Sequence, residues 1–292
     1  MLLEARDLRV DTPGSSGVPC IDGLSLESQG RRLLVLGAPR GLFAAVSGMI
    51  PASRGVVLID GEHARSAVTQ NLVAGAPLDP PLPPTWTPRS YASWSARLAG
   101  HDATDAHESA DKALERLAMS GVANLALHGL PLHVRRAAVI AAALATGART
   151  IVLEDPTAVL PDEIARTFSR IVLDALGDAP FIVFAGRAPL DAPISLAADE
   201  AIILNGSAVA AQGPLRDLAA HEATYAVRVV GESARFAELV RARGGVVNHG
   251  ADGALMTVHL AGDCTKTRDL LDAADEARAV LLELRPIARA FA

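Results

Sequence analysis

The chain has 292 residues, a formal net charge of −6, an apolar fraction of 50% and an aromatic fraction of only 3%. Of its 27 basic residues only Lys112 and Lys266 are lysines, which excludes any mechanism needing a lysine ammonium within the first hundred residues. The acidic balance offers no basic footprint for nucleic acid. The 56 alanines and the preference for arginine read first as coding bias.

Half the residues being apolar, the chain can build one large core or two domains. Cys20 and Cys264 lie far apart and match no metal or redox spacing, as expected of a reducing compartment. Glu4, Arg6 and Asp7 put charge too early for a secretory signal. The longest apolar run, residues 137–145, falls well short of the ~20 needed to span a bilayer. A soluble protein is expected.

In chain order, residues 32–36 form a short apolar strand ending at Gly37, followed by a helix over about 42–49. Val56-Val57-Leu58-Ile59 is a strand closing on the Asp60-Gly61 turn. Ala106, Ala110, Ala113, Leu114, Leu117 and Ala118 recur at helical spacing between 104 and 119, and a second helix covers 134–146. Residues 150–153 and 181–184 are unbroken apolar runs, the pattern of strands buried on both faces of a parallel sheet. Residues 201–204 and 208–210 flank Asn205-Gly206 as a hairpin. The alternation predicts an α/β domain over 1–220.

After about residue 220 the pattern restarts. Strands at 225–230, 246–247, 255–260 and 279–284 alternate with helices at 233–243 and 265–277. That βαββαβ order predicts a small ferredoxin-like α+β domain over 221–292, with the boundary near 219–224.

Several segments in order then carry a family resemblance. Gly37-Ala38-Pro39-Arg40-Gly41 follows a strand, and Ser53-Arg54-Gly55-Val56-Val57-Leu58-Ile59-Asp60-Gly61 follows the next helix. Residues 79–87 are proline-rich, and residues 141–145 lead into Ile151-Val152-Leu153-Glu154-Asp155-Pro156-Thr157. Ala198-Asp199-Glu200 runs on to Gly206 and then to Ala211-Gln212-Gly213, and residues 284–291 form the tail. This order resembles the ATP-binding subunit of ABC transporters, with a tail like that of the drug- and polymer-exporter subgroup. The resemblance implies a P-loop NTPase-like fold with a helical subdomain at about 86–145. It also implies ATP and Mg²⁺ as cofactors and an integral membrane subunit as partner. A second ATPase subunit, identical or not, would complete a dimer on the cytoplasmic face of the membrane.

The residues that would perform ATP chemistry depart from that pattern. A phosphate loop needs G-x-x-x-x-G-K-[ST], with backbone N–H groups and a lysine on the phosphates. Here Gly37, Arg40 and Gly41 remain as a degenerate loop about one helical turn short, Pro39 removes a donor, and Leu42-Phe43 stand where polar residues belong. Arg40 is no substitute for the ammonium. The glutamine that senses Mg²⁺ belongs near Leu78, yet the chain's glutamines are Gln29, Gln70 and Gln212. The Ser-Gly-Gly signature turn is replaced by Leu130-Pro131-Leu132-His133-Val134, and a shifted alignment at Gly129 does not restore it. Glu154-Asp155 presents the two Walker B carboxylates in reversed order. Ala185-Gly186-Arg187 stands at the switch histidine, and Val159-Leu160-Pro161 where the following turn usually ends in Asp. The adenine-stacking aromatic should precede the loop, but the first aromatic is Phe43.

Trp86, Tyr91 and Trp94 cluster where the resemblance places the membrane subunit's coupling helix, so they serve either as an exposed anchor or as packing inside the helical subdomain. Asp60, Glu62 and His63 read as a solvated turn and not as a metal site, and His128 and His133 flank a helix start without forming a ligand pair. The expected function is a degenerate cassette subunit, a pseudo-ATPase that couples or scaffolds membrane subunits. The alternatives are an active ATPase using Arg40, Glu154 and Asp155, and an assembly protein on the same fold without a transporter.

Overall fold

The computed structural model describes residues 2–11, 19–37, 40–189, 192–215, 217–218, 224–249, 255–260 and 266–289. Ala38, Pro39, Cys264, most of the expected 219–224 boundary and the last residues of the tail lie outside that set. Two compact units emerge. The first runs to Gly186 and resumes at Ala192–Gln212, and the second takes Arg187–Asp191 and Gly213–Arg289.

The first unit opens with a hairpin of β1 (Leu3–Asp11) and β2 (Pro19–Glu27), which joins β4 (Arg54–Ile59) and β5 (Glu62–His63) in an antiparallel sheet of order β2-β1-β4-β5. The register of β1 on β4 shifts between Arg6 and Arg9. Gly55 sits at that irregularity with φ +71°, and a Cβ there would lie 2.3 Å from the carbonyl oxygens of Arg6 and Asp7. Only glycine allows this approach.

A second sheet has the order β11-β10-β3-β8-β7-β6. Its members are β3 (Arg32–Leu36), β6 (Val73–Ala76), β7 (Thr150–Glu154), β8 (Phe181–Ala185), β10 (Glu200–Asn205) and β11 (Ala208–Gly213). From β10 through β6 the strands are parallel. Leu33, Val35, Ile151, Val152, Phe181, Ile182, Ala201 and Ile202 are all fully buried, which explains the unbroken apolar runs. The β10–β11 hairpin turns at Gly206, φ +61°, as the Asn-Gly pair predicts.

Between the two sheets lies α1 (Arg40–Val46), which packs Leu42, Phe43, Ala45 and Val46 against Leu8, Val10, Leu24 and Ile182. It begins two residues earlier than periodicity predicts and ends before Gly48, φ +72°. Helix α2 (Ala64–Thr69) follows β5. A helical layer comprises α3 (Pro88–Leu98), α4 (Ala103–Arg116) and α5 (Leu132–Ala145). Thr87 and Ser90 form a reciprocal capping box at α3, and the Asp102 carboxylate accepts the N–H groups of Thr104 and Asp105 at α4. Alanines at 137, 138 and 141–143 are buried in α5, small side chains that let neighbouring helices approach closely. Helix α6 (Asp162–Leu176) follows β7, and α7 (Pro193–Ala197) precedes β10.

The second unit contains β12 (Thr224–Val230), α8 (Ser233–Ala242), β13 (Val246–His249), β14 (Leu255–His259), α9 (Thr267–Ala277) and β15 (Val280–Arg289). Its antiparallel sheet has the order β13-β14-β12-β15-β9, where β9 is the short strand Arg187–Pro189. Phe236, Val240, Leu270 and Ala273 from the helices pack on Val227, Val229, Met256 and Val258 of the sheet. The fifth strand, β9, is absent from the sequence-based reading. No helix among the described residues is long and apolar enough to cross a membrane.

Candidate functional site

The parallel strands β3, β8, β7 and β6 end side by side, and open α/β sheets bind ligands at this carboxyl edge. There the Gly37 N–H donates to the carbonyl of Ala185 at 3.1 Å, and the Asp155 N–H to the carbonyl of Phe184 at 2.7 Å. The two carboxylates after β7 diverge. Glu154 Oε2 accepts the N–H of Leu78, beyond β6, at 3.0 Å, while Oε1 lies 3.6 Å from Nε of Arg40. Asp155 has φ +37° and turns the other way, its Oδ2 accepting the N–H of Gly186, beyond β8, at 3.1 Å. Each of the four strand ends is thereby joined to a neighbour by the protein's own groups.

Past Arg40, the residues that open α1 face inward. Leu42 is 0% exposed and Phe43 3%, so both side chains point into the core. The Phe43 ring meets Phe184 edge to face at 6.1 Å. The Cα of Gly41 faces Cys20: a Cβ there would lie 2.3 Å from the sulfur, which itself contacts the carbonyl of Val10 at 3.2 Å. Gly41 thus packs closely beneath Cys20 of β2.

Behind the edge, Arg136 of α5 is only 3% exposed. Its guanidinium reaches both carboxylate oxygens of Asp79, at 3.4 and 3.2 Å, and donates to the carbonyls of Pro156 at 3.4 Å and Ala158 at 2.5 Å. One side chain thus fixes α5 to the segments that follow β6 and β7. Val159 comes next, with φ +54° and 84% exposure. A β-branched residue is strained in that region.

The same architecture occurs in solved proteins. Over 74% of this chain and 90% of that one, cbiO1 from Clostridium perfringens, described as part of the ABC transporter complex cbiONQ, matches with a TM-score of 0.61 at 18% identity. MJ1267, described as an ATP-binding cassette of an ABC transporter, matches at 0.61 and 16% identity over 74% of this chain and 94% of that one. The cassette MJ0796, solved as a dimer with ADP and Pi, matches at 0.60 and 14% over 74% and 99%. This is the fold of an ABC ATP-binding cassette. In sequence, the chain is 27% identical over 227 residues to the energy-coupling factor transporter ATP-binding protein EcfA of Methanothermobacter thermautotrophicus, covering 73% of this chain and 70% of that one. No protein-family model matches it.

The remaining sequence candidates can be placed in the structure. Trp86 and Tyr91 are half-buried and Trp94 is 54% exposed, with the Trp86 ring edge to face against both others at 6.5 and 5.9 Å. Burial raises the phenol pKa of Tyr91. The aromatics thus pack on one another and still present a surface, continued one turn along α3 by Leu98, 73% exposed. Beside them a cavity of about 250 Å³ is lined by residues that include Val68, Pro77, Tyr91, Leu98 and Val139. Asp60, Glu62 and His63 are exposed, and Asp60 lies 3.8 Å from Arg149 in an ion pair. His128 Nδ1 is 2.9 Å from the Pro84 carbonyl, whereas His133 stacks edge to face on Phe168. Gln212 donates to Glu27 and Glu200 at the other end of β10, and Gln70 to Ser66. The sequence names Leu78 and Gly186 only as places where a glutamine and a histidine are missing, and gives no sign of their backbone role; Arg136 escaped it, an arginine within an alanine-rich helix being the one available signal.

Proposed function

We propose that this cassette is a degenerate subunit of an ABC-type membrane transporter, working with little or no ATP hydrolysis. The observation that carries the reading is the burial of Leu42 and Phe43 in the core, at the positions where the phosphate-binding and Mg²⁺-binding side chains belong. Glu154 and Asp155 support it, since both carboxylates are held by Arg40, Leu78 and Gly186. The likeness to EcfA, named as an ATP-binding protein of a transporter, supports the transport context.

On this reading the protein pairs with a competent ATPase subunit or with a copy of itself. It lies at the inner face of the membrane through an integral partner, which docks at Trp86, Tyr91, Trp94 and the adjacent cavity. The second unit is a ferredoxin-like accessory domain spanning about residues 221–292, and the tail allies the protein with drug and polymer exporters. The test is purification of the native complex, scored for a polytopic membrane protein and a second ATPase, together with ATP turnover by the isolated chain. Recovery of both partners with no turnover is expected. Turnover at rates typical of ABC ATPases would overturn the degenerate reading, and absence of any membrane partner the transport reading.

A further inference from the structure

Between the helical layer and the segment that follows β6 lies a cavity of about 290 Å³. Leu78, Leu82, Leu127, Leu132 and Val139 supply apolar lining, and Asp79, His128, Arg135 and Arg136 supply polar groups. All of these residues belong to the first unit. The deep wall is fixed, since Leu127 is 0% exposed and Val139 4%. At the rim, His128 Nδ1 lies 2.9 Å from the Pro84 carbonyl, which can only accept, so that nitrogen carries the proton and the ring is held in place. Small-molecule sites are typically preformed apolar cavities with a few placed polar groups.

The two arginines of this cavity differ. Arg136 is spent, because Nε, Nη1 and Nη2 all donate, to Asp79 and to the carbonyls of Pro156 and Ala158. Arg135, its neighbour on α5, is half-buried and has no hydrogen bond or ion pair among the described residues. A guanidinium partly withdrawn from water beside apolar groups lacks the acceptors it has in solution, and a carboxylate supplies two in matching geometry. The Asp79 side chain, 56% exposed at the same rim, is paired with Arg136 but still disfavours a doubly charged guest.

We propose that this cavity binds a small organic acid, its single carboxylate on Arg135 and a compact apolar body against Leu82, Leu127 and Val139. The site shares no residue with the aromatic surface at Trp86, Tyr91 and Trp94, so it stands or falls independently of the transport reading.

The probes are phenylacetate and hexanoate, each set against its uncharged amide, with acetate as a carboxylate lacking the apolar body. Binding is followed by amide NMR shifts of the full chain. At about 10 mM at least one of the two acids is expected to shift Leu82, Leu127, His128, Leu132 and Arg135, its amide and acetate binding at least about tenfold more weakly. Arg135→Gln removes the charge from a side chain with no described partner, so circular dichroism and the unfolding midpoint should stay as in wild type. Its affinity for the acid should fall about tenfold or more, to that of the amide. Absence of these shifts with both acids, amides that bind as well as acids, or an Arg135→Gln variant of undiminished affinity would each overturn the proposal. The comparison of acid with amide needs only the wild-type chain, so it decides the matter even if the variant does not fold.

Discussion

Nε of Arg40 lies 3.6 Å from Oε1 of Glu154, so the residue that opens α1 and the one that closes β7 face each other across the site. The two ends of this pair are unequal. Arg40 is 83% exposed, whereas Glu154 is 15% exposed and also accepts the Leu78 N–H. An exposed ion pair adds little to stability, and Arg40→Ala should cost less than about 0.5 kcal/mol. Glu154→Ala leaves the Leu78 N–H without its acceptor and should cost about 1–2 kcal/mol. Urea denaturation of both variants checks the difference; equal costs would mean that the ion pair with Arg40, and not the Leu78 N–H, carries the contribution of Glu154.

Restoring the sequence motif should not restore the chemistry. Leu42→Lys with Phe43→Ser would place an ammonium and a hydroxyl where the core now packs against Leu8, Val10 and Phe184. Loss of a buried phenyl ring alone costs about 3–5 kcal/mol, and an unpaired buried charge adds to that. The expected outcome is a strongly destabilised or unfolded chain without ATP turnover, read by circular dichroism and phosphate release. A folded double variant that hydrolyses ATP would show the loop to be a dormant site instead of a converted one.

What could be read in advance follows physical rules. Strands β3, β7, β8 and β10 were legible because strands buried on both faces leave unbroken apolar runs. The β1–β2 hairpin was not, since its register shifts between Ala5 and Leu8 and again between Leu8 and Val10, which breaks the alternation. Strand β9 has no local signature at all, being a product of pairing with residues 287–289. The positions of Glu154 and Asp155 were evident from the chain, but their partners at Leu78 and Gly186 are backbone N–H groups, which any residue other than proline supplies. Arg136 and Asp79 are joined across 57 positions, beyond the reach of any local pattern.

Arg136 gives the third prediction. It offers several N–H donors in a plane, here shared among Asp79, Pro156 and Ala158. Lysine carries charge but not that geometry. Arg136→Lys should cost about 2–3 kcal/mol and Arg136→Met a comparable amount, since both strand buried carbonyls. Denaturant midpoints measure this, and a Lys variant as stable as wild type would show that charge alone suffices.

The aromatic surface separates packing from recognition. Trp94 is 54% exposed and makes one edge contact with Trp86, so Trp94→Ser should change stability by no more than about 1 kcal/mol. Exposed tryptophans often dominate binding, and the same substitution should lower recovery of a membrane partner by about tenfold or more. Thermal unfolding and co-purification read the two effects. Undiminished recovery would remove Trp94 from the docking surface.

Val159 carries the last prediction. Its φ of +54° follows the turn that Arg136 holds through the carbonyl of Ala158, and its side chain is 84% exposed. Exposure leaves little packing to offset the strain, which for a side chain with a Cβ amounts to about 1–2 kcal/mol. Glycine would relieve it at an entropic cost of roughly 0.5–1 kcal/mol in the unfolded chain, whereas asparagine tolerates the left-handed region and keeps that cost lower. Val159→Asn should therefore raise stability by about 1 kcal/mol, and Val159→Gly by less. Denaturant unfolding of the isolated chain distinguishes them. If both variants are less stable than wild type, Val159 makes a contact that outweighs its backbone strain, and the turn after β7 is held by more than Arg136.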